Sequence, residues 1–405
     1  MGGLGKHINS LWEDTSLTFT DLGDIADQIS SAEGCDVYEK TDGQNLFVTW
    51  DFKSNTLRCA RNKGNLLNGG MSIKELSKKF ADKKAVHDAY VNGANALEAS
   101  LKQLVDSIKK KIFDVNVWYS IEIIAKDNPN VIHYDADTIA FHRFGPKVLS
   151  ENEFVDLSDK NVITRLDVID QNLIKMNEVS HAKHAWKIVC PLKIDLKAMN
   201  DNKSLTSFLE KIHSIKNLAD LDDRDTIRTY LFNRMMQEKL KGGPLSRPKQ
   251  LELVSRLLED EGCQTKTYLL KKADSAIQRN FIVKMLDQSV DIIHEFMKPI
   301  ETAIFDLSVD RMNGLASLLI SDNEKEIKRI KFEVDKMIKL VEKSNDAIDR
   351  TFVANQLKRL GSIDNIKTTI EGLTFKYKGK VFKMTGAFAP VNQILGLHRF
   401  KRVVK

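Results

Sequence analysis

The chain has 405 residues, and its 62 basic and 56 acidic side chains leave a net charge of +6. That length can bury a large core and accommodate two domains, while 42% hydrophobic residues and only 7 prolines exclude a disordered or low-complexity chain. So small a basic excess permits a nucleic-acid partner without establishing one.

No apolar run is long enough to span a bilayer, and the N-terminus lacks a signal peptide's apolar stretch. A soluble, cytoplasmic protein without a membrane partner is expected. Cys35, Cys59, Cys190 and Cys263 form no C-x-x-C pair and read as reduced thiols. The glycine-rich start Gly2–Lys6 lacks the spacing, the Ser/Thr and the preceding strand of a phosphate loop.

In chain order, Thr20 or Asp21 caps a helix carrying Leu22, Ile25, Ala26 and Ile29, closing near Gly34. The run Leu46–Trp50 and the stretch Thr56–Arg61, joined by Lys53-Ser54-Asn55, predict a hairpin. A long helical segment follows over Ile73–Ile112. Strands are predicted at Val117–Ile124 and Thr138–Arg143, with turn chemistry at Asp127-Asn128-Pro129-Asn130, and one more at Trp186–Cys190. From 151 to 364 the pattern is mostly helical, with an apolar stripe through Ile327, Ile330, Val334, Met337, Ile338 and Val341. Lys241–Pro244 and Glu259–Gly262 read as helix ends or hinges. After Gly361 a second hairpin is predicted, Thr368–Tyr377 against Lys380–Met384 across Lys378-Gly379. His181 and His184 lack further ligands for a metal site and read as structural.

The fold class expected is therefore α+β. One domain of antiparallel sheets with flanking helices is split between 1–150 and 365–405, and a mostly helical insertion fills 151–364. Residues 185–197 are assignable to either part.

The chemistry concentrates around Glu39-Lys40-Thr41-Asp42-Gly43-Gln44-Asn45, at the edge of a predicted strand. A lysine so placed suits a nucleophilic amine, and the Asp-Gly turn lets a phosphate approach backbone. A free lysine titrates near ~10.4, so burial and neighbouring cations must lower it by about 2–3 units to make it reactive. Taken alone, Lys40 reads first as a surface lysine beside an ordinary hairpin turn. Arg61 lies on the next strand, Glu122 within an apolar strand, Phe141 on the one after, and Glu371, Lys376 and Lys383 on the last hairpin. A nucleoside triphosphate needs such a set: an aromatic face for the base, a carboxylate for the ribose, and cations with a divalent metal for the phosphates. Phe141 is also a candidate core residue, with His142 as the alternative stacking ring.

In this order the segments resemble motifs I, Ia, III, IIIa, IV and V of the covalent nucleotidyltransferases, namely DNA ligases, RNA ligases and mRNA capping enzymes. They are most similar to the RNA ligase 2-like branch, in which Glu precedes the lysine and Asn follows it at five residues, as Glu39 and Asn45 do here. The resemblance implies a ligase-type adenylyltransferase domain that uses ATP with Mg²⁺ or Mn²⁺ and forms a lysyl–AMP intermediate on Lys40. It implies that the AMP passes to a 5′-phosphate end, which a 3′-hydroxyl then seals, with RNA favoured over DNA. It assigns Glu39 to the adenine amino group, Asn45 and Arg61 to the ribose, phosphate or nucleic-acid end, Glu122 to the ribose and Phe141 to base stacking. It assigns Glu371 to the metal and Lys383 to the α-phosphate, where it would help depress Lys40; Thr41, Asp42 and Gly43 fall within motif I. A phage source, and hence an infected host cell, is the expectation for origin.

This sequence departs from the family pattern in three respects. Thr385 stands where motif V has its second lysine, with Lys376 or Lys380 as possible substitutes. The 151–364 segment separates motifs IIIa and IV, and no OB-fold domain is expected after motif V. The segment is a candidate docking site for a protein partner. Two other functions fit the same residues: a catalytically inactive nucleotide- or nucleic-acid-binding protein on a ligase scaffold, and an adenylyltransferase with a different acceptor. The basic tail His398–Lys405 suits a phosphate backbone.

Overall fold

The computed structural model describes residues 8–30, 36–114, 116–127, 129–150, 153–196, 203–259, 262–344 and 346–401. The segment Gly2–Lys6, Asn128 of the turn, and the side chains of Cys35, Cys263 and the basic tail from 398 on lie outside that description.

In chain order the strands are β1 (Asn9–Ser10), β2 (Val37–Lys40), β3 (Gln44–Asp51), β4 (Thr56–Ala60), β5 (Val117–Ile124) and β6 (Asp137–Ser150). They continue with β7 (Glu153–Asp156), β8 (Trp186–Val189), β9 (Lys193–Ile194), β10 (Gly372–Tyr377) and β11 (Lys380–Met384). Helices occupy most of the remainder, so the architecture is mixed α+β with antiparallel sheets.

The chain forms two compact units, with boundaries different from those the sequence suggested. One comprises residues 36–195 and 312–405 with Ile8; the other comprises Asn9–Cys35 and Leu196–Arg311. Burial explains why 151–195 joins the sheets. The helix Asp159–His184 buries Val162, Leu166, Ile169 and Met176 in the same apolar cluster as Val48, Leu97, Tyr119 and Phe141. Residues 9–30 join the second unit because Leu17 and Phe19 exchange backbone hydrogen bonds with Ile227 and Asp225. There the Phe19 ring also meets the edge of Tyr230 at 6.4 Å. The second unit's described residues are otherwise helical, with a core around Tyr230, Phe296, Ile300 and Ile304.

Within the first unit one sheet runs β11–β10–β2–β9, all antiparallel. Its β10–β11 turn has positive φ at Lys378 and Gly379, the backbone that matches strand twist in a two-residue hairpin. The second sheet runs β4–β3–β5–β6–β7, with β8 parallel to β6. The hairpin expected over 46–61 forms in register from Phe47↔Ala60 to Asp51↔Thr56. The 73–112 segment is three helices, Ile73–Phe80, Lys84–Leu101 and Asp106–Ile112, the first restarted by a Ser72–Glu75 capping box. The strand expected at 138–143 extends to Ser150 and turns into β7.

Candidate active site

Period-two alternation sorts the key side chains onto opposite faces. On β2, Tyr38 and Lys40 share one face while Val37 and Glu39 take the other. On β3 and β5, Asn45 pairs with Glu122, and Glu122 with Ala140 of β6, while Leu46, Ile121 and Phe141 form the core side. The polar faces of the two sheets enclose a cavity of about 450 Å³ lined by Lys40, Asn45, Arg61, Glu122, His142, Glu371 and Lys383, among others.

Lys40 ends β2, directly opposite Gly372 of β10, so the pairing carries Glu371 to its amine. Lys40 Nζ donates to Glu371 Oε1, and the two side chains are 25% and 14% exposed. Burial pulls the Lys40 ammonium down, but Glu371, Glu122 and Asp42 outweigh it and hold the pKa above its ordinary value. The direction is thus opposite to the depression expected from burial and cations. Burial pushes the Glu371 carboxyl up to about 7, reinforced by Asp42 and opposed by Lys40.

Asn45 donates through Nδ2 to Ser120 Oγ, and Arg61 Nη1 donates to the Asn45 carbonyl while lying over the Tyr90 ring. Glu122 accepts from His142 Nε2 at 2.9 Å. Lys383 lies on β11 opposite Thr374, and both face the cavity. Thr41 Oγ1 is buried beside Lys40 without a hydrogen-bond partner, and the residue lines the cavity.

Other expected site residues are placed differently, although Glu39 also borders the cavity. Both oxygens of Glu39 are engaged away from Lys40, accepting from Ser317 Oγ at 2.6 Å and Leu318 N–H at 3.0 Å; burial, partly offset by these bonds, raises its carboxyl. Its side chain therefore anchors the 317–318 loop. Asp42 accepts from the Val131 and Ile132 amides at 2.6 and 3.0 Å, so it fixes the 131–132 backbone. Gly43 does not border the cavity: a Cβ there would meet Glu122 Cγ at 2.6 Å and the Ile123 carbonyl at 2.9 Å. Its glycine serves close approach of β5, not of a phosphate. Gly43→Ala is expected to displace Glu122 and to cost about 1–3 kcal/mol, measurable by denaturant unfolding. Lys376 pairs with Asp159 at 2.7 Å and is not among the residues lining the cavity.

Phe141 is 2% exposed and meets the edge of Tyr119 at 5.6 Å within the core cluster. Phe141 nevertheless borders the cavity, as does its neighbour His142. Phe141→Ala is accordingly expected to cost about 3–5 kcal/mol of stability, read as a lower denaturation midpoint.

The sequence reading missed Tyr38, Arg143 and Phe144, all of which line the cavity. Tyr38 was accessible by alternation, two residues before Lys40. Among the described residues no group of three or more metal-ligating side chains gathers, and no helix is long and apolar enough to cross a membrane. Two half-buried carboxylates, Glu371 and Glu122, beside one lysine nevertheless fit a hard divalent cation, since Mg²⁺ commonly takes one or two carboxylates and completes its shell with phosphate and water. The Cys59 thiol is buried and pushed up to about 12, an inert structural environment. Compared with family models, curated proteins and solved structures, the chain matches none.

Proposed function

We propose that this chain is an ATP-dependent nucleotidyltransferase of the polynucleotide-ligase kind, acting on RNA or DNA ends through Lys40. The observation that carries this reading is the gathering of Lys40, Glu371, Glu122, Asn45, Arg61 and Lys383, from distant parts of the sequence, around one cavity of about 450 Å³. That volume lies in the range of small-molecule sites.

In the first step Lys40 passes its ammonium proton to Glu371, and the resulting neutral amine attacks the α-phosphorus of ATP. A P–N bond forms, the α–β bridging P–O bond breaks, and pyrophosphate leaves with that electron pair and takes up the second proton of the amine. Glu371 Oε1 faces the amine and is placed to take its proton, because its carboxyl lies near 7. Lys383 and Arg61 offer positive charge to the phosphates. Mg²⁺ or Mn²⁺ would be held by the other oxygens of Glu371 and Glu122 and would offset charge on the triphosphate. The AMP then passes to a 5′-phosphate, and a 3′-hydroxyl displaces it as the strand is joined.

Intact-mass measurement after incubation with ATP or GTP and Mg²⁺ tests the first step. An acid-labile AMP adduct supports the reading, a GMP adduct redirects it to capping chemistry, and no adduct on protein free of prior AMP refutes it. One observation favours a second reading, a nucleotide-binding protein without covalent chemistry: Lys40 is closed into an ion pair that keeps it protonated. That reading requires nucleotide binding with no mass change.

A further inference from the structure

The β5–β6 ladder breaks at a single place. Tyr119 pairs with Pro146 and Ile121 with Phe141, so His142, Arg143, Phe144 and Gly145 together stand opposite Ser120. The bulge closes on Gly145, where a Cβ would meet the Ser120 carbonyl at 2.6 Å and the His142 carbonyl at 2.9 Å. Bulges of this kind bend a strand and re-aim its side chains. Here His142, Arg143 and Phe144 all line the cavity.

Arg143 lies within electrostatic reach of the Asp36 carboxylate, which accepts from Tyr38 Oη at 3.2 Å. Its Nε donates to Tyr38 Oη at 3.2 Å and its guanidinium lies 5.8 Å from the centre of the Phe144 ring. Its Nη1 is buried and has no hydrogen-bond partner. A buried N–H without an acceptor is costly, so the arrangement gains when an anion enters to accept from it. Tyr38 stands two residues before Lys40 on the same face of β2, about 7 Å along the strand.

We infer that Arg143, carried by the bulge and braced by Tyr38, is a second phosphate-binding group of the cavity, taking a phosphoryl group one step away from the phosphorus that faces Lys40. This rests on the nucleotide reading above. The group belongs either to the triphosphate beyond the α-phosphate or to the 5′-end of an acceptor strand, since both present the same tetrahedral dianion. Arginine suits it because its planar fork can keep Tyr38 and still donate to phosphate, which the point charge of lysine cannot do in one geometry.

Calorimetric titration of the full chain tests this with wild type, Arg143→Gln and Arg143→Lys. The ligands are AMP, ATP, and one short RNA bearing either a 5′-phosphate or a 5′-hydroxyl. Arg143→Gln is expected to weaken one phosphorylated ligand by about tenfold or more, with AMP and 5′-hydroxyl RNA unchanged. Loss confined to ATP assigns the group to the triphosphate; loss confined to 5′-phosphorylated RNA assigns it to the acceptor. Arg143→Lys should recover only part of the loss. The inference is overturned if Arg143→Gln binds every ligand as wild type does, or loses all four equally with a lowered melting temperature. An AMP adduct on wild type alongside unchanged Arg143→Gln binding would defeat this inference alone, whereas failure of wild type to bind ATP or form an adduct defeats the nucleotide reading with it.

Discussion

Lys40→Ala and Lys40→Arg are both expected to abolish AMP adduct formation, and they should differ in stability. Alanine removes the nucleophile together with the cation facing Glu371, whose side chain is only 14% exposed. The isolated carboxyl then resists ionisation further, so its folded pKa rises while its unfolded value stays ordinary. A raised acid contributes stability that is present below its unfolded pKa and lost as pH rises through the folded one. Lys40→Ala should therefore melt near wild type at acidic pH and progressively below it above neutrality. Arginine keeps the charge, and with a pKa above ~12 it cannot supply a neutral amine. It should melt near wild type at every pH and still give no adduct. Intact mass and melting temperature across pH check both statements, and a surviving adduct on Lys40→Arg would move the nucleophile elsewhere.

The second large effect belongs to Glu371. Its carboxyl lies at about 7 in the folded chain against an ordinary 4.5, with burial the main cause. Its stabilising contribution is thus full below 4.5 and lost as pH rises through about 7. In the transfer step it accepts the Lys40 proton only when ionised, so wild-type adduct formation should rise with pH through about 7. Glu371→Gln removes the proton acceptor and a metal oxygen together and is expected to slow adduct formation by about a hundredfold or more. It also removes the strongest influence holding the Lys40 ammonium up, leaving burial to pull it down. Competitive acetylation read by mass spectrometry should then show Lys40 more reactive in Glu371→Gln than in wild type at pH 8. Equal labelling would mean that the pair does not control the amine. An unchanged adduct rate would remove Glu371 from the chemistry.

The sequence by itself determined much of what is local. Alternation and turn residues placed both hairpins, and the apolar run Val117–Ile124 is β5 from end to end. The chemical types of Lys40, Asn45, Arg61, Glu122, Glu371 and Lys383 were also legible, because their order and spacing along the chain carry that information. Three matters were decided only by tertiary structure. The division into units followed from which apolar faces bury together, so residues 9–30 pack beside Tyr230 and the helix Asp159–His184 packs beneath the sheet. The sign of the Lys40 shift came from carboxylates on β5 and beside β10, whose distance from the amine no spacing encodes. The register break at Ser120 set which side chains face the cavity, because a bulge resets the period of two that any strand reading depends on. Phe141 and His142 still follow the regular alternation, and the break is what brings both Arg143 and Phe144 to the cavity.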